Sequence, residues 1–445
     1  MSSVRQNNTA SGSGNWRRLS ELNWQEVPEP VRRQTKRCIK DILATAAGAT
    51  TLPDTARMTA LLSEQFKTGP APLWFQKRRA AFLGAAFFNA FLTDSLDCHD
   101  GFRLCKGHAG ATVVPVILSA SAGHQVAGSE LLVSVLIGYE VACRAGKAIH
   151  AAYSPAYHSS GAWAALGAAA GAARIRNINA DKLDEAMGIA EYYAPMSPML
   201  RCTQHPAVVK DGAAAGAWAA AMAIEMLGHG LGGLPSLLST ESQASQQMAS
   251  FGKEWLILRQ YFKPYPTCRW THPPVEAIAT LKTEHHFDAD QIDAVTIETF
   301  REAMTLDSFP PADTHTAQYS MPWSVAAFLV DGLLGIQQVH PDKLADKRIL
   351  GLGRQIKMVF AQDIQDRFPQ QCLARVTVTL KGGERFVSPI TAARGDPETP
   401  LTDEQLQRKF DENVSLVAGA DKCRMIGNLV AELENHTANE LLELL

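Results

Sequence analysis

Three carboxylates (Asp94, Asp97, Asp100), two histidines (His99, His108) and two cations (Arg103, Lys106) fall within one stretch of 15 residues. Carboxylates and imidazoles are the side chains that move protons, and fixed cations stabilise negative charge as it develops. The stretch lies between two apolar segments, Arg79 to Leu92 and Ala111 to Ala120. Polar residues held between buried elements either cap helix ends or line a cleft. Capping accounts for any single Asp. A whole cluster of this composition points to a cleft. A metal site here would draw on Asp97, His99, Asp100, Cys105 and His108. No histidine pair has the i, i+4 spacing of a zinc-binding helix and there is no CxxC pair, so no metal is expected.

Further chemistry-bearing residues are dispersed along the chain. His158 stands just before a Gly- and Ala-rich helix. Lys210 opens another Ala-rich helix, where the helix dipole disfavours a cation. It is either an exposed partner of Asp211 or a cation aimed into a pocket. The segment Phe262 to Pro273 contains Pro264, Pro266 and Pro273, which fix an extended path. It presents Lys263, Arg269 and His272 where the character of the chain changes. A second cleft segment is Thr316 to Trp323. There is no Gly-rich phosphate loop after a strand and no GxSxG elbow, which removes the usual nucleotide and acyl-transfer chemistries.

These groups must be positioned by two kinds of structure. Apolar and small residues recur at helical spacing over Glu29 to Ala47, Arg79 to Leu92, Glu130 to Ala145, Gly161 to Ala173, Ala180 to Ala194 and Gly212 to Leu227. Ala and Gly allow close helix approach, so a tight bundle is expected. After Tyr261 the pattern changes. Ile292 to Phe300, Arg354 to Phe360, Ala374 to Leu380 and Arg385 to Ile390 alternate as strands, and Gly382-Gly383 suits a hairpin turn. Ser324 to Leu334 and Pro341 to Gly351 read as helices between them. From Thr402, an N-cap, the chain is helical again. The fold class expected is mainly α. Residues 19–262 and 402–445 would form a discontinuous all-α domain, and residues 263–401 a smaller α+β lid. Residues 1–18, rich in Ser, Asn and Gly near the start, read as a disordered tail.

The 445 residues carry 42 Lys and Arg against 45 Asp and Glu, a net charge of −3. That excludes a broad electrostatic grip on nucleic acid or on anionic lipid. No apolar run reaches the length of a membrane span. The eight cysteines are scattered and the N-terminus has no basic-then-apolar signal, so a reduced, cytoplasmic protein is expected.

Five motifs in order resemble the MmgE/PrpD family, over about Leu19 to Leu445. They are Asp97-Cys98-His99-Asp100 followed by His108; Gly138-Tyr139-Glu140-Val141; His158 with Gly161; Lys263, Pro266, Cys268 and His272; and Gln318-Tyr319-Ser320-Met321-Pro322-Trp323. The resemblance implies a large all-α domain with an α+β lid, a homodimer, and a site at the domain junction. It implies action on small polycarboxylates without an organic cofactor. Asp97, His108, His158, Lys210 and Lys263 would then be catalytic. Asp100, Arg103, Lys106, Arg269, His272 and Trp323 would bind substrate. His108 and Lys263 would tolerate substitution without loss of fold, as polar loop residues. Four positions depart from the family pattern: His99 replaces an Asp, Gly101 stands where cis-aconitate decarboxylase has Thr, Trp323 replaces a Tyr, and Ala207 takes the place of a Lys that recurs as Lys210. The reaction expected is dehydration of a 2-methylcitrate-like substrate. An epimerase or isomerase, a decarboxylase, and a catalytically inactive binding protein are the alternatives.

Overall fold

The computed structural model describes residues 16–152 and 158–445. The expected tail lies outside the described residues up to residue 15. Residues 16–21 are helical, and Trp16 and Leu19 are buried in the core.

The protein is mainly α. The helix Glu29–Ala49 has Pro30 in its first turn, where a missing N–H costs nothing. It packs with the helices Phe82–Ser95, Gly110–Ser121 and Gly128–Ala152, and these pack in turn with Ser160–Ile175 and Ala213–Gly228. Small residues set the spacing of this bundle. A Cβ on Gly167 would strike the carbonyl of Gly138 on the neighbouring helix. A Cβ on Gly216 would strike the backbone of Gly161. Both contacts need Gly because backbone meets backbone.

Three expected helices begin later than their patterns suggest: Ala180–Lys182 is a 3₁₀ turn ahead of the helix Leu183–Tyr193, and two others start after a strand or turn. Residues Arg78–Ala80 form strand β2, paired antiparallel with β1 (Ala71–Leu73), so that helix starts at Phe82. Pro341–Lys343 is a single 3₁₀ turn. Asp346 then caps a separate helix, Lys347–Gly353, by accepting from the backbone N–H of Arg348 and Ile349.

Two short strands, β3 (Gly101–Phe102) and β4 (Gln260–Tyr261), pair antiparallel. The main sheet has β5 (Ile292–Thr299), β6 (Ile356–Phe360), β7 (Leu373–Leu380), β8 (Arg385–Val387) and β9 (Thr391–Ala392), in the order β6-β5-β7-β8 with β9 also on β7. β5 runs parallel to β6 and antiparallel to β7. Val295 and Ile297 face Val378 and Val376 across the ladder, and all four are buried. The β7–β8 hairpin turns through Gly383 at φ +94°. The helix His272–His285 packs on β7.

Thr402 caps the helix Asp403–Ala418 through a reciprocal pair with Gln405. That helix returns to pack on Glu29–Ala49. The C-terminal end reaches the turn after β1, where Phe75 N–H donates to the carbonyl of Leu445 at 2.6 Å. No helix among the described residues is long and apolar enough to cross a membrane. All eight cysteines are free.

Candidate active site

The helix Phe82–Ser95 ends in a sharp reversal at Asp97, which has φ +50°. Asp94 and His99 stay behind the turn. Asp94 Oδ2 accepts from the backbone N–H of Ala213 at 3.2 Å, capping the helix Ala213–Gly228, and Oδ1 lies 3.2 Å from His99 Nε2. The β3–β4 ladder then draws the segment after Tyr261 alongside this turn. Lys263 Nζ donates to Asp97 Oδ1 at 2.5 Å and to its carbonyl at 2.9 Å. A third element holds the two segments together. Lys409, from the helix Asp403–Ala418, donates to the carbonyls of Cys98 and Lys263 and pairs with Asp41 at 2.6 Å.

His108 Nδ1 lies 2.6 Å from the carbonyl oxygen of Asp100. A carbonyl only accepts, so Nδ1 carries the proton and Nε2 keeps a free lone pair. Nε2 is 4.0 Å from Asp97 Oδ1. Burial, with the adjacent His99 and Lys263, holds the imidazole well below its ordinary pKa. It is therefore neutral near pH 7, with its basic nitrogen toward Asp97. Burial would raise the Asp97 carboxyl, but Lys263, His108 and Lys210 outweigh it and hold it well below the usual carboxylate range. The backbone N–H of His108 donates to Ser160 Oγ at 2.7 Å, and that hydroxyl is bonded to Asp211 Oδ2.

The opposite wall comes from the proline-rich segment and the loop after β9. Arg269 Nη2 is 2.9 Å from Asp396 Oδ1, Nη1 donates to the carbonyl of Arg394 at 2.7 Å, and the guanidinium stacks 4.8 Å from the Tyr261 ring. Arg103 reaches Asp396 Oδ2 at 3.6 Å and forms a two-pronged bond with Glu398 at 3.0 and 2.5 Å. Lys106 donates to the carbonyl of Pro369 at 2.6 Å and lies over Phe368. Between the walls is a narrow cleft of about 50 Å³.

Of the residues singled out in the sequence, Asp97, His108, Lys263, Arg103, Lys106 and Arg269 line this cleft. Lys210 stands beside it. It is buried, donates to Gln318 Oε1 at 2.6 Å and lies 5.0 Å from the Tyr319 ring, so it is not the exposed partner of Asp211. Burial brings its pKa down to about 8.

Four residues are placed elsewhere. The Asp100 carboxyl turns into the bundle and accepts from Tyr139 Oη at 2.6 Å; burial and nearby Asp41 push it up to about 7. Its carbonyl serves the site by orienting His108. His272 is fully buried, with Nε2 3.2 Å from the carbonyl of Thr267 and Nδ1 3.3 Å from Arg269 Nη1. It props Arg269 from behind. Trp323 is core, its indole N–H donating to the carbonyl of Gln338 at 2.8 Å. His158 stacks on His150, with ring centres 5.9 Å apart, and is absent from the cleft wall.

Lys263 is almost fully buried beside a buried carboxylate. This burial removes the ground for expecting that it can be replaced as an open loop residue. Asp211, Tyr261 and Asp396 line the cleft without having been picked out as site residues. Asp211 adjoins Lys210 and was read only as its surface partner. Arg394-Gly395-Asp396 reads as an ordinary exposed turn, and nothing in the sequence marks it.

Among the described residues no group of three or more His, Cys, Asp or Glu side chains is arranged to hold a metal. A larger groove of about 900 Å³ runs between the helices Glu29–Ala49 and Asp403–Ala418. Its walls include paired surface charges such as Lys36 with Glu434 and Arg37 with Asp403.

Residues 17–256 match the MmgE/PrpD N-terminal domain, and residues 265–435 match the MmgE/PrpD C-terminal domain. The chain is 23% identical to a cis-aconitate decarboxylase-like protein, oryM, of Aspergillus oryzae, over 97% of this chain and 96% of that protein. It is 25% identical to the cis-aconitate decarboxylase of Mus musculus, over 79% of this chain and 75% of that one. It is 20% identical to the cis-aconitate decarboxylase of Aspergillus terreus, over 96% and 94%. Two domain matches in the expected order, covering nearly the whole length, mean that this chain belongs to the MmgE/PrpD family.

Proposed function

We propose that the protein is a lyase acting on a small polycarboxylate, and that it dehydrates a hydroxy-polycarboxylate of the 2-methylcitrate type. The observation that carries this reading is the His108 tautomer. With Nδ1 committed to the carbonyl of Asp100 at 2.6 Å, Nε2 is a neutral base at the cleft. Removing a proton next to a carboxylate adds negative charge to a group already anionic. Lys263 and Arg269 are fixed cations on the same cleft and stabilise that charge without reorganising. Arg269 offers a planar fork suited to a carboxylate. Asp97 keeps Lys263 in place and stabilises the His108 imidazolium after proton transfer.

Incubation with a panel of hydroxy-di- and tricarboxylates in D₂O, followed by NMR, tests this. New vinyl signals are expected, and His108→Ala should abolish them. Deuterium incorporation with no net change would replace dehydration with epimerisation. A second reading, decarboxylation of a cis-aconitate-like substrate, is favoured by the relatives that match along nearly the full chain. Release of CO₂ from an unsaturated tricarboxylate would select it.

The same reading treats residues 19–262 with 402–445 as one helical domain and 263–401 as its lid. The packing of Asp403–Ala418 on Glu29–Ala49 supports that division. It also includes a homodimer, for which light scattering in solution is the test.

A further inference from the structure

Asp211 has no task in the scheme above. It is 4% exposed, lines the cleft, and immediately precedes Gly212 at the start of the helix Ala213–Gly228. Its Oδ2 is held by Ser160 Oγ, the hydroxyl that also accepts the backbone N–H of His108. Its Oδ1 is buried and has no hydrogen-bond partner among the described residues. A bare buried carboxyl oxygen is costly and calls for an explanation.

The surroundings explain which form it takes. Asp94 faces it from the end of the helix Phe82–Ser95, and Asp97 from the turn beyond. Ser160 faces it from the helix Ser160–Ile175. Burial, with Asp94 and Asp97, pushes its carboxyl well above the usual range, and the Ser160 bonds offset this only in part. The balance favours the protonated, neutral form of the group. With Oδ2 occupied by Ser160, the free position is Oδ1, a donor with nothing to donate to until a ligand enters.

We propose that Asp211 is the acid that protonates the departing hydroxyl oxygen, while His108 takes the proton from carbon. The inference rests on the dehydratase reading. The C–H bond breaks first, toward His108 Nε2, and its electron pair is held as an enediolate facing Lys263 and Arg269 before it becomes the new carbon–carbon π bond. The C–O bond breaks with its pair going to oxygen. Asp211 gives that oxygen its proton, and water leaves. His108 ends as imidazolium and Asp211 as carboxylate. Loss of one proton from His108 to solvent and uptake of one by Asp211 restores the starting state. Hydroxide is a poor leaving group, so an acid here supplies what the base and cations cannot.

The test compares wild type, Asp211→Asn and His108→Ala on citrate, malate and their methyl derivatives in D₂O, following vinyl signals and deuterium incorporation separately. Asp211→Asn keeps the shape and a hydrogen-bond donor but cannot deliver a proton. It should lose elimination by about 10²-fold or more while still exchanging the carbon-bound proton. His108→Ala should lose both. Near-wild-type elimination by Asp211→Asn overturns the proposal. So does equal loss of exchange and elimination in a variant that melts no lower than wild type, because that assigns Asp211 to binding. If wild type neither eliminates nor exchanges on any of these acids, or only decarboxylates an unsaturated one, the dehydratase reading fails first and takes this proposal with it.

Discussion

Lys263 Nζ lies 2.5 Å from Asp97 Oδ1 in a setting where neither side chain is more than 4% exposed. The pair joins the turn after the helix Phe82–Ser95 to the strand-linked segment after β4. It is both part of the cleft wall and a structural joint. Removing one partner of a buried ion pair leaves an uncompensated charge, at a cost of about 3–5 kcal/mol. Lys263→Met should therefore lower the melting temperature sharply, besides abolishing turnover. Adding Asp97→Asn should recover part of the stability and none of the activity. A Lys263→Met protein that melts like wild type would show that the joint carries no stability.

His108 should behave differently. Its backbone N–H, not its ring, makes the 2.7 Å bond to Ser160. That bond survives side-chain truncation. His108→Ala should cost about 10²- to 10⁴-fold in kcat, the range for a lost general base, with a small change in melting temperature. Turnover within tenfold of wild type would remove His108 from the role of base.

Local pattern and tertiary placement divide what the sequence made legible. The bundle was readable because Ala and Gly recur where helices touch, as at Gly138 and Gly167, and Val295 and Ile297 alternate as a buried strand must. Asp97 and Asp100 look equivalent in the sequence, three residues apart. The left-handed backbone at Asp97 sends one carboxyl to the cleft and the other into the bundle, and no spacing rule reveals that turn. Trp323 stands in a family motif in place of a Tyr, yet its indole N–H finds the carbonyl of Gln338 and the ring becomes core. Asp396 reaches Arg103 and Arg269 only through tertiary folding. Segments marked by several chemistry-bearing residues were found, and single residues delivered from far away were not.

Gly101 and Tyr261 are partners across the β3–β4 ladder, and a Cβ on Gly101 would strike the Tyr261 ring and hydroxyl and come within 2.9 Å of His108 Nδ1. Tyr261 thus fills the space that the Thr of cis-aconitate decarboxylase would need. Gly101→Ala should lower stability by about 1–3 kcal/mol, the usual cost of overpacking, and reduce kcat by displacing His108. Combining it with Tyr261→Leu should lose less stability than the two single changes summed. Strict additivity in thermal melts would mean that the two positions do not compete for one space.

Asp211 gives a signature in stability as well as in turnover. Burial, with Asp94 and Asp97 nearby, favours a protonated carboxyl in the folded protein well above the ordinary aspartate range. In the unfolded chain it ionises near pH 4. Above that pH the folded state holds a proton that the unfolded state has released. Its contribution is thus fully present below the unfolded pKa and is lost as pH rises toward the raised folded value. Asn cannot ionise and escapes this loss. The melting temperature of Asp211→Asn relative to wild type should therefore rise as pH increases above about 4, until the raised folded value is passed, even as elimination is lost. A variant more stable and less active than wild type is the pattern of a group held in a costly protonation state for chemistry. A melting-temperature difference that stays flat across that range would show that Asp211 is ionised in the folded protein, and would remove it as the acid.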